Sequence, residues 1–230
     1  MKQQNKILIF DSSSVITLAL NNLLYILKKL KEEFKIKFII TQPVKNEIID
    51  KPLKIKKYEL EALMIKQLIK NSILETPICI GIENDTIEKE TQKVMRVANK
   101  IFSFKNTFIK IISKGEASCF ALAKFLKKQV PDVTVVIDER TARMLVEKPE
   151  NLHKLLERKL HKTLEMQKYR AEYFKGIKII RSSEICYIAY KRNLVNISNG
   201  QQVLEALLYA TKFRGCAIST QEIEEMKRLV

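Results

Sequence analysis

The chain has 230 residues, 46% of them hydrophobic, enough to bury a core in one substantial domain or two small ones. Its 42 Lys and Arg against 26 Asp and Glu leave a net charge of +16, a field that draws a polyanion by counterion release whatever its sequence. No long apolar run opens the chain, and Cys79, Cys119, Cys186 and Cys216 are scattered without paired spacing, so a signal peptide, a membrane helix, a zinc site and a disulfide frame are not indicated and a cytoplasmic protein is expected.

Taken in chain order, the run from Lys6 to Phe10 reads as a strand that delivers Asp11 and then Ser12, Ser13 and Ser14. A first helix follows, with Lys28, Lys29 and Lys31 on its solvated face. Lys37 to Thr41 is a second strand. Pro43 can open a helix, since its missing N–H would be unpaired in the first turn anyway, and Glu47 lies one turn in, with Val44 and Ile48 sharing a face. Lys51, Lys54, Lys56 and Lys57 come directly after it, placed to grip a nucleic-acid backbone. Gly115 begins a helix whose Ala117, Phe120, Ala121, Ala123 and Leu126 make a broad packing face and whose amino end carries Glu116. Val133 to Ile137 is a β-branched strand ending in Asp138.

From Pro149 to Phe174 the pattern is helix-like, with Leu152, Leu155, Leu156, Leu160 and Leu164 at helical spacing and a basic remainder, a stripe that suits core packing or a protein contact better than RNA clamping. His153 and His161 fall on this segment, without a ligand pair's spacing and far in sequence from the acids. Gly176 to Ile180 reads as a closing strand and Ser183 to Lys191 as a helix. Two more helices follow, from Val203 through Tyr209 and from Gln221 to Leu229, the last capped by Ser219 to Glu222. With five Gly and five Pro there is no flexible linker, so residues 1–230 are expected to form one domain with a helical insertion at 147–175.

Continuous β-branched runs suit strands buried on both faces, and ligands of open parallel sheets bind beyond the strands' carboxyl ends. Asp11 and Asp138 stand at two such ends, and Glu47 and Glu116 lie in the first turns of helices. One such acid is ordinary capping chemistry. Four together repel one another unless a cation is present, and Mg²⁺ or Mn²⁺ with oxygen ligands answers that need, activating water against a phosphate.

The segments Ile9 to Ser13, Val44 to Ile48, Gly115 to Ala123 and Val136 to Arg143 resemble, in order, the four motifs of the PIN-domain nucleases, and the strand at 176–180 with its helix resembles that family's closing elements. The resemblance implies an α/β/α three-layer sandwich around a mainly parallel sheet. It also implies a divalent-metal-dependent endonuclease that usually cuts RNA, with Asp11, Glu47, Glu116 and Asp138 as ligands and catalytic acids. Ser13, Glu139 and Arg143 become accessory candidates, and Lys51, Lys54, Lys56 and Lys57 the nucleic-acid contacts. Metal-activated hydrolysis does not need a 2′-hydroxyl, so DNA qualifies as substrate alongside RNA. The long stretch from Lys51 to Ser113 and the insertion depart from the compact toxin nucleases of toxin–antitoxin pairs, which are similar in motif. The alternatives are a toxin with an antitoxin-like partner, a nucleic-acid-binding or regulatory module without catalysis, and a doubly wound nucleotide-binding or phosphoacceptor protein, which would lack a Gly-rich phosphate loop because Ser12, Ser13 and Ser14 follow the first strand; a homodimer is compatible with each.

Overall fold

A computed structural model describes residues 6–198 and 200–229. The elements run β1 (Ile7–Phe10), α1 (Ser12–Leu20), α2 (Tyr25–Phe34), β2 (Lys37–Ile39), α3 (Gln42–Lys45), α4 (Glu59–Lys70), β3 (Leu74–Glu75) and α5 (Asn84–Ala98). Then come β4 (Phe102–Phe104), β5 (Thr107–Phe108), α6 (Lys114–Leu126), β6 (Val133–Val136), α7 (Arg140–Glu147), α8 (Pro149–Leu160), β7 (Glu165–Met166) and α9 (Lys168–Ala171). The chain closes with β8 (Lys178–Ile180), α10 (Ser182–Lys191), α11 (Gln201–Phe213) and α12 (Thr220–Arg228).

Five strands form a wholly parallel sheet in the order β3-β2-β1-β6-β8. All four residues of β1 and of β6 are buried, as the β-branched runs require of strands covered on both faces. The covering helices fall into two groups, α1, α2, α4 and α10 packing together and α5, α6 and α9 packing together. Right-handed crossovers put these groups on opposite faces, which completes the α/β sandwich. From β1 the chain crosses toward β2, from β6 toward β8. The C-terminal ends of these neighbouring strands are therefore the switch point at which such sheets open a crevice.

Two segments differ from expectation. The insertion at 147–175 is not wholly helical: α8 stops where His161 takes a left-handed conformation (φ 51°), and β7 then pairs antiparallel with β4, giving a separate three-stranded sheet ordered β5-β4-β7. His153 contributes to that change, its Nε2 lying 2.8 Å from the Leu164 carbonyl and its ring stacking on Phe102, while Glu157 accepts the Leu164 N–H. The leucine stripe is internal packing. Leu152 and Leu164 are buried and Leu155 and Leu156 rest on the core, with Leu160 alone exposed. At the carboxyl end, Leu204, Leu208, Cys216, Ile218 and Ile223 make a small second core between α11 and α12. Among the described residues no helix is long and apolar enough to cross a membrane.

Candidate active site

Asp11 begins where β1 ends. Its backbone N–H still donates to the Val136 carbonyl, 2.9 Å away, so the residue is held in register with β6 before the chain turns into α1. As N-cap of α1 it accepts at Oδ2 from both the backbone N–H of Ser13 (3.0 Å) and the Ser13 hydroxyl (2.6 Å). The other oxygen, Oδ1, is buried without a hydrogen-bond partner. Burial pushes the carboxyl from its ordinary 3.8 up to about 6, and the nearby charge of Glu47 adds to the rise, both working against the Ser13 bonds.

Glu47 arrives on an irregular turn. α3 passes without a break into a π-helical turn, Asn46–Asp50, closed by the Lys51 N–H on the Asn46 carbonyl at 3.0 Å. Pro52 supplies the reason, since it has no N–H to continue the ordinary i to i+4 ladder. Such π turns concentrate at functional sites. The turn is tied to α6 through Thr41 and Ser118, whose hydroxyls meet at 2.6 Å. It lays the Glu47 carboxylate against the start of α6, so closely that a Cβ on Gly115 would sit 2.6 Å from Glu47 Oε2. Gly115 thus makes room for a carboxylate at a helix amino end, where the helix dipole favours it.

This predicts a separation of stability from activity in Gly115→Ala. Ala is better than Gly within a helix by roughly 0.5–1 kcal/mol, and only the mobile end of Glu47 has to move. The variant should melt at or slightly above the wild-type temperature while losing most of whatever catalysis the cluster performs. A variant that melts normally and keeps that catalysis would show that the position of Glu47 is unimportant.

Glu116 completes a capping box: the Ser113 N–H donates to its Oε2 at 2.5 Å, and its own N–H donates to Ser113 Oγ at 3.3 Å. Burial, with the charges of Asp11 and Glu139 behind it, pushes Glu116 to about 7. Beneath these acids the buried Cys119 thiol lies 3.6 Å from the Phe10 carbonyl. Burial first, then Asp11, Glu116 and Glu47, drive it well above the usual thiol range and keep it an inert neutral group. Asp11, Glu47, Glu116 and Glu139 are therefore one electrostatic neighbourhood.

Asp138 is placed differently. It is fully buried, and both its oxygens are used by Ser182 at the start of α10, one by the backbone N–H and one by the hydroxyl, each at 2.7 Å. Its link to the cluster is indirect, its N–H donating to the Ser13 hydroxyl that binds Asp11. Asp138→Ala should destabilise the fold by about 2 kcal/mol or more, because it leaves two buried donors unsatisfied. A urea midpoint equal to wild type would contradict that.

Glu139 caps α7, accepting the Ala142 N–H at 2.7 Å. Arg143 is a brace: its Nη1 donates to the Ala217 carbonyl at 3.0 Å and its Nε lies 3.4 Å from Glu147. Arg181 reaches the same carbonyl and also Glu222, so two arginines pin the segment before α12 to the back of the site. Of the lysine group, Lys51 lines a groove with Glu47, Ile16, Leu20, Ile55 and Tyr58. Lys56 pairs with Glu59, Lys57 stands over Tyr58, and Lys54 is exposed.

As placed, the carboxylates do not form a closed cage, and among the described residues no three His, Cys, Asp or Glu side chains form a ready metal-holding group. Their chemistry still fits a hard cation: oxygen donors only, one buried oxygen without a donor, and two acids held above their ordinary values by burial first and neighbouring carboxylates second. Compared with family models, curated proteins and solved structures, the chain matches none.

Proposed function

We propose that the chain is a divalent-cation-dependent endonuclease acting on RNA, and on DNA where it is offered, as its resemblance to PIN-domain nucleases suggests. The observation that carries this reading is the unpartnered, buried Oδ1 of Asp11 at the switch point of a parallel sheet, beside Glu47 and Glu116. Mg²⁺ or Mn²⁺ would be held by Asp11, Glu47 and Glu116, with Glu139 beside them, while Asp138, each of whose oxygens accepts one bond from Ser182, would anchor the start of α10 behind them. The cation would supply charge neutralisation and activation of water for attack on a phosphodiester.

The protein's own groups do the rest. Ser13 fixes Asp11 by one oxygen and leaves the other free. The α6 dipole and Gly115 seat Glu47. Glu116 can leave its cap on α6 at modest cost, because the donor it releases belongs to the half-buried Ser113 at a helix amino end, whereas Glu139 accepts from the fully buried Ala142 and is held more firmly to α7. Lys51 and Lys54, next to Glu47 along the chain, offer cations to the substrate's phosphates.

A second reading, a nucleic-acid-binding module without catalysis, is favoured by the full engagement of Asp138 with Ser182. One experiment separates the two. Purified protein is incubated with a mixed RNA pool in Mn²⁺ or Mg²⁺, and the new 5′ ends are sequenced. Cation-dependent ends that disappear with chelator support the nuclease. RNA retained on the protein with no new ends supports the binding module.

A further inference from the structure

Beside the acidic cluster runs an apolar groove of about 490 Å³, and Glu47 belongs to both. α1 contributes Ile16 and Leu20, one helical turn apart and 39% and 36% exposed. The irregular turn and the residues after it contribute Glu47, Lys51 and Pro52, and α4 contributes Glu61, Ala62 and Ile65, which share one face by helical spacing. Ile55 and Tyr58, from the short turns between Pro52 and α4, line the same groove and are 48% and 43% exposed. The volume suits a small planar group, since ligand pockets run roughly 300–1,000 Å³. Its charged residues are Glu47, Lys51 and Glu61. Glu61 Oε2 is buried without a hydrogen-bond partner, and among the described residues neither Glu61 nor Lys51 has an ion-pair partner. A carboxylate oxygen withdrawn from water without a donor is costly, and a ligand in the groove can bring one.

We propose that this groove is a specificity pocket for one unpaired guanine base of a single-stranded nucleic acid, seated next to the phosphate on which the cluster acts; the inference rests on the proposed function. Guanine's Watson–Crick edge carries two donors side by side, N1–H and the N2 amino group, which match the two oxygens of the Glu61 carboxylate as a bidentate pair. Adenine and cytosine each set one amino donor beside a ring nitrogen that accepts, and uracil flanks its N3–H with two carbonyls. Each of those bases therefore turns a lone pair toward a carboxylate oxygen. Tyr58 supplies a ring for stacking, the aliphatic walls exclude water, and Lys51 meets a neighbouring phosphate. An apolar side chain from a protein partner would suit the walls but would leave Glu61 Oε2 buried without a donor, so the chemistry of the groove selects the base. In a duplex the reading edge is already paired, so only an unpaired nucleotide can enter. Because Glu47 lines both the groove and the cluster, the seated base fixes which phosphate is presented.

The test uses the full chain carrying Asp11→Asn and fluorescence anisotropy in Mg²⁺ with labelled short oligouridylates whose central residue is guanosine, inosine or adenosine. The guanosine strand should bind about tenfold or more tighter than the adenosine strand, with inosine, which lacks the N2 amino group, between them. Glu61→Gln should bring guanosine and adenosine within about twofold of each other, while adenosine affinity stays within about threefold of its parent and so guards against a folding artefact. Tyr58→Ala should weaken both strands about fivefold or more and keep their ratio. Guanosine 5′-monophosphate should compete about tenfold less well than the strand, because it lacks the neighbouring phosphates. Equal affinity for the guanosine and adenosine strands, a preference that survives Glu61→Gln, full affinity in Tyr58→Ala, or a mononucleotide that competes as well as the strand would each overturn the pocket. Sequencing the 5′ ends that the wild-type protein makes in a mixed RNA pool keeps the two proposals apart, and guanine enriched at one fixed position beside the cut is the expected result. Ends without that enrichment would leave the nuclease and remove the pocket; guanine-selective, Glu61-dependent binding by a protein that cuts nothing would leave the pocket and remove the nuclease.

Discussion

Asp11→Asn should reduce cation-dependent RNA cleavage by about a hundredfold or more, and it should at the same time raise the melting temperature at pH 8. The two effects have one origin. Asn is as good an N-cap as Asp, so α1 keeps its start and the Ser13 bonds keep an acceptor. What disappears is a buried charge facing Glu47. The folded protein holds a proton on Asp11 up to about pH 6, and the unfolded chain releases it near 3.8. The raised value means that the folded state binds the proton more tightly, so stability falls as pH rises through this window, by about 3 kcal/mol at most for a shift of this size. The amide escapes that loss but leaves a buried N–H unsatisfied, worth about 1–3 kcal/mol against it. A net gain near 1 kcal/mol, about 2–4 °C, is expected at pH 8 and should vanish or reverse at pH 4. Thermal scans at both pH values check the sign. A variant that melts lower than wild type at pH 8, or cleaves at the wild-type rate, would contradict the account.

Four of the sheet's strands were legible because they are largely apolar runs, whereas β3, only Leu74 and Glu75, was too short to register, and Asp11 was legible because it ends the first of the four. The choice between Asp138 and Glu139 was not. Successive residues of an extended chain point to opposite sides, so neighbours at a strand end serve different surroundings. Asp138 turns to Ser182, and Glu139 turns toward Glu116. Nothing in the sequence says which side opens into the crevice, since that depends on where α10 docks, 44 residues later. The capping box of Ser113 and Glu116 was readable, as a serine three residues before a glutamate at a helix start. Pro52 was the signal for the irregular turn of Glu47. The strands β4, β5 and β7 have two or three residues each, too few for an alternation to register, so the small sheet could be found only in the folded chain.

Manganese at millimolar concentration should raise the melting temperature of the wild-type protein, and more at pH 8 than at pH 5. A cation that binds the folded cluster and not the unfolded chain stabilises by RT ln(1 + [L]/Kd), about 2.7 kcal/mol at a hundred times Kd, which for a chain of this size is roughly 5–11 °C. Its gain is largest where the acids are ionised and repelling. With Asp11 at about 6 and Glu116 at about 7, both are largely protonated at pH 5, so the cation must first displace protons and the shift shrinks. The variants then sort the carboxylates. Asp11→Asn and Glu116→Gln should each remove most of the shift, and Glu139→Gln should reduce it. Asp138→Asn should keep it, because an amide can accept from the Ser182 N–H while donating to its hydroxyl, which preserves both bonds. A shift that survives in Asp11→Asn, or that appears equally with potassium at the same ionic strength, would locate the cation elsewhere on the protein. A shift lost in Asp138→Asn but kept in Glu139→Gln would mean that binding pulls Asp138 from Ser182 into the site.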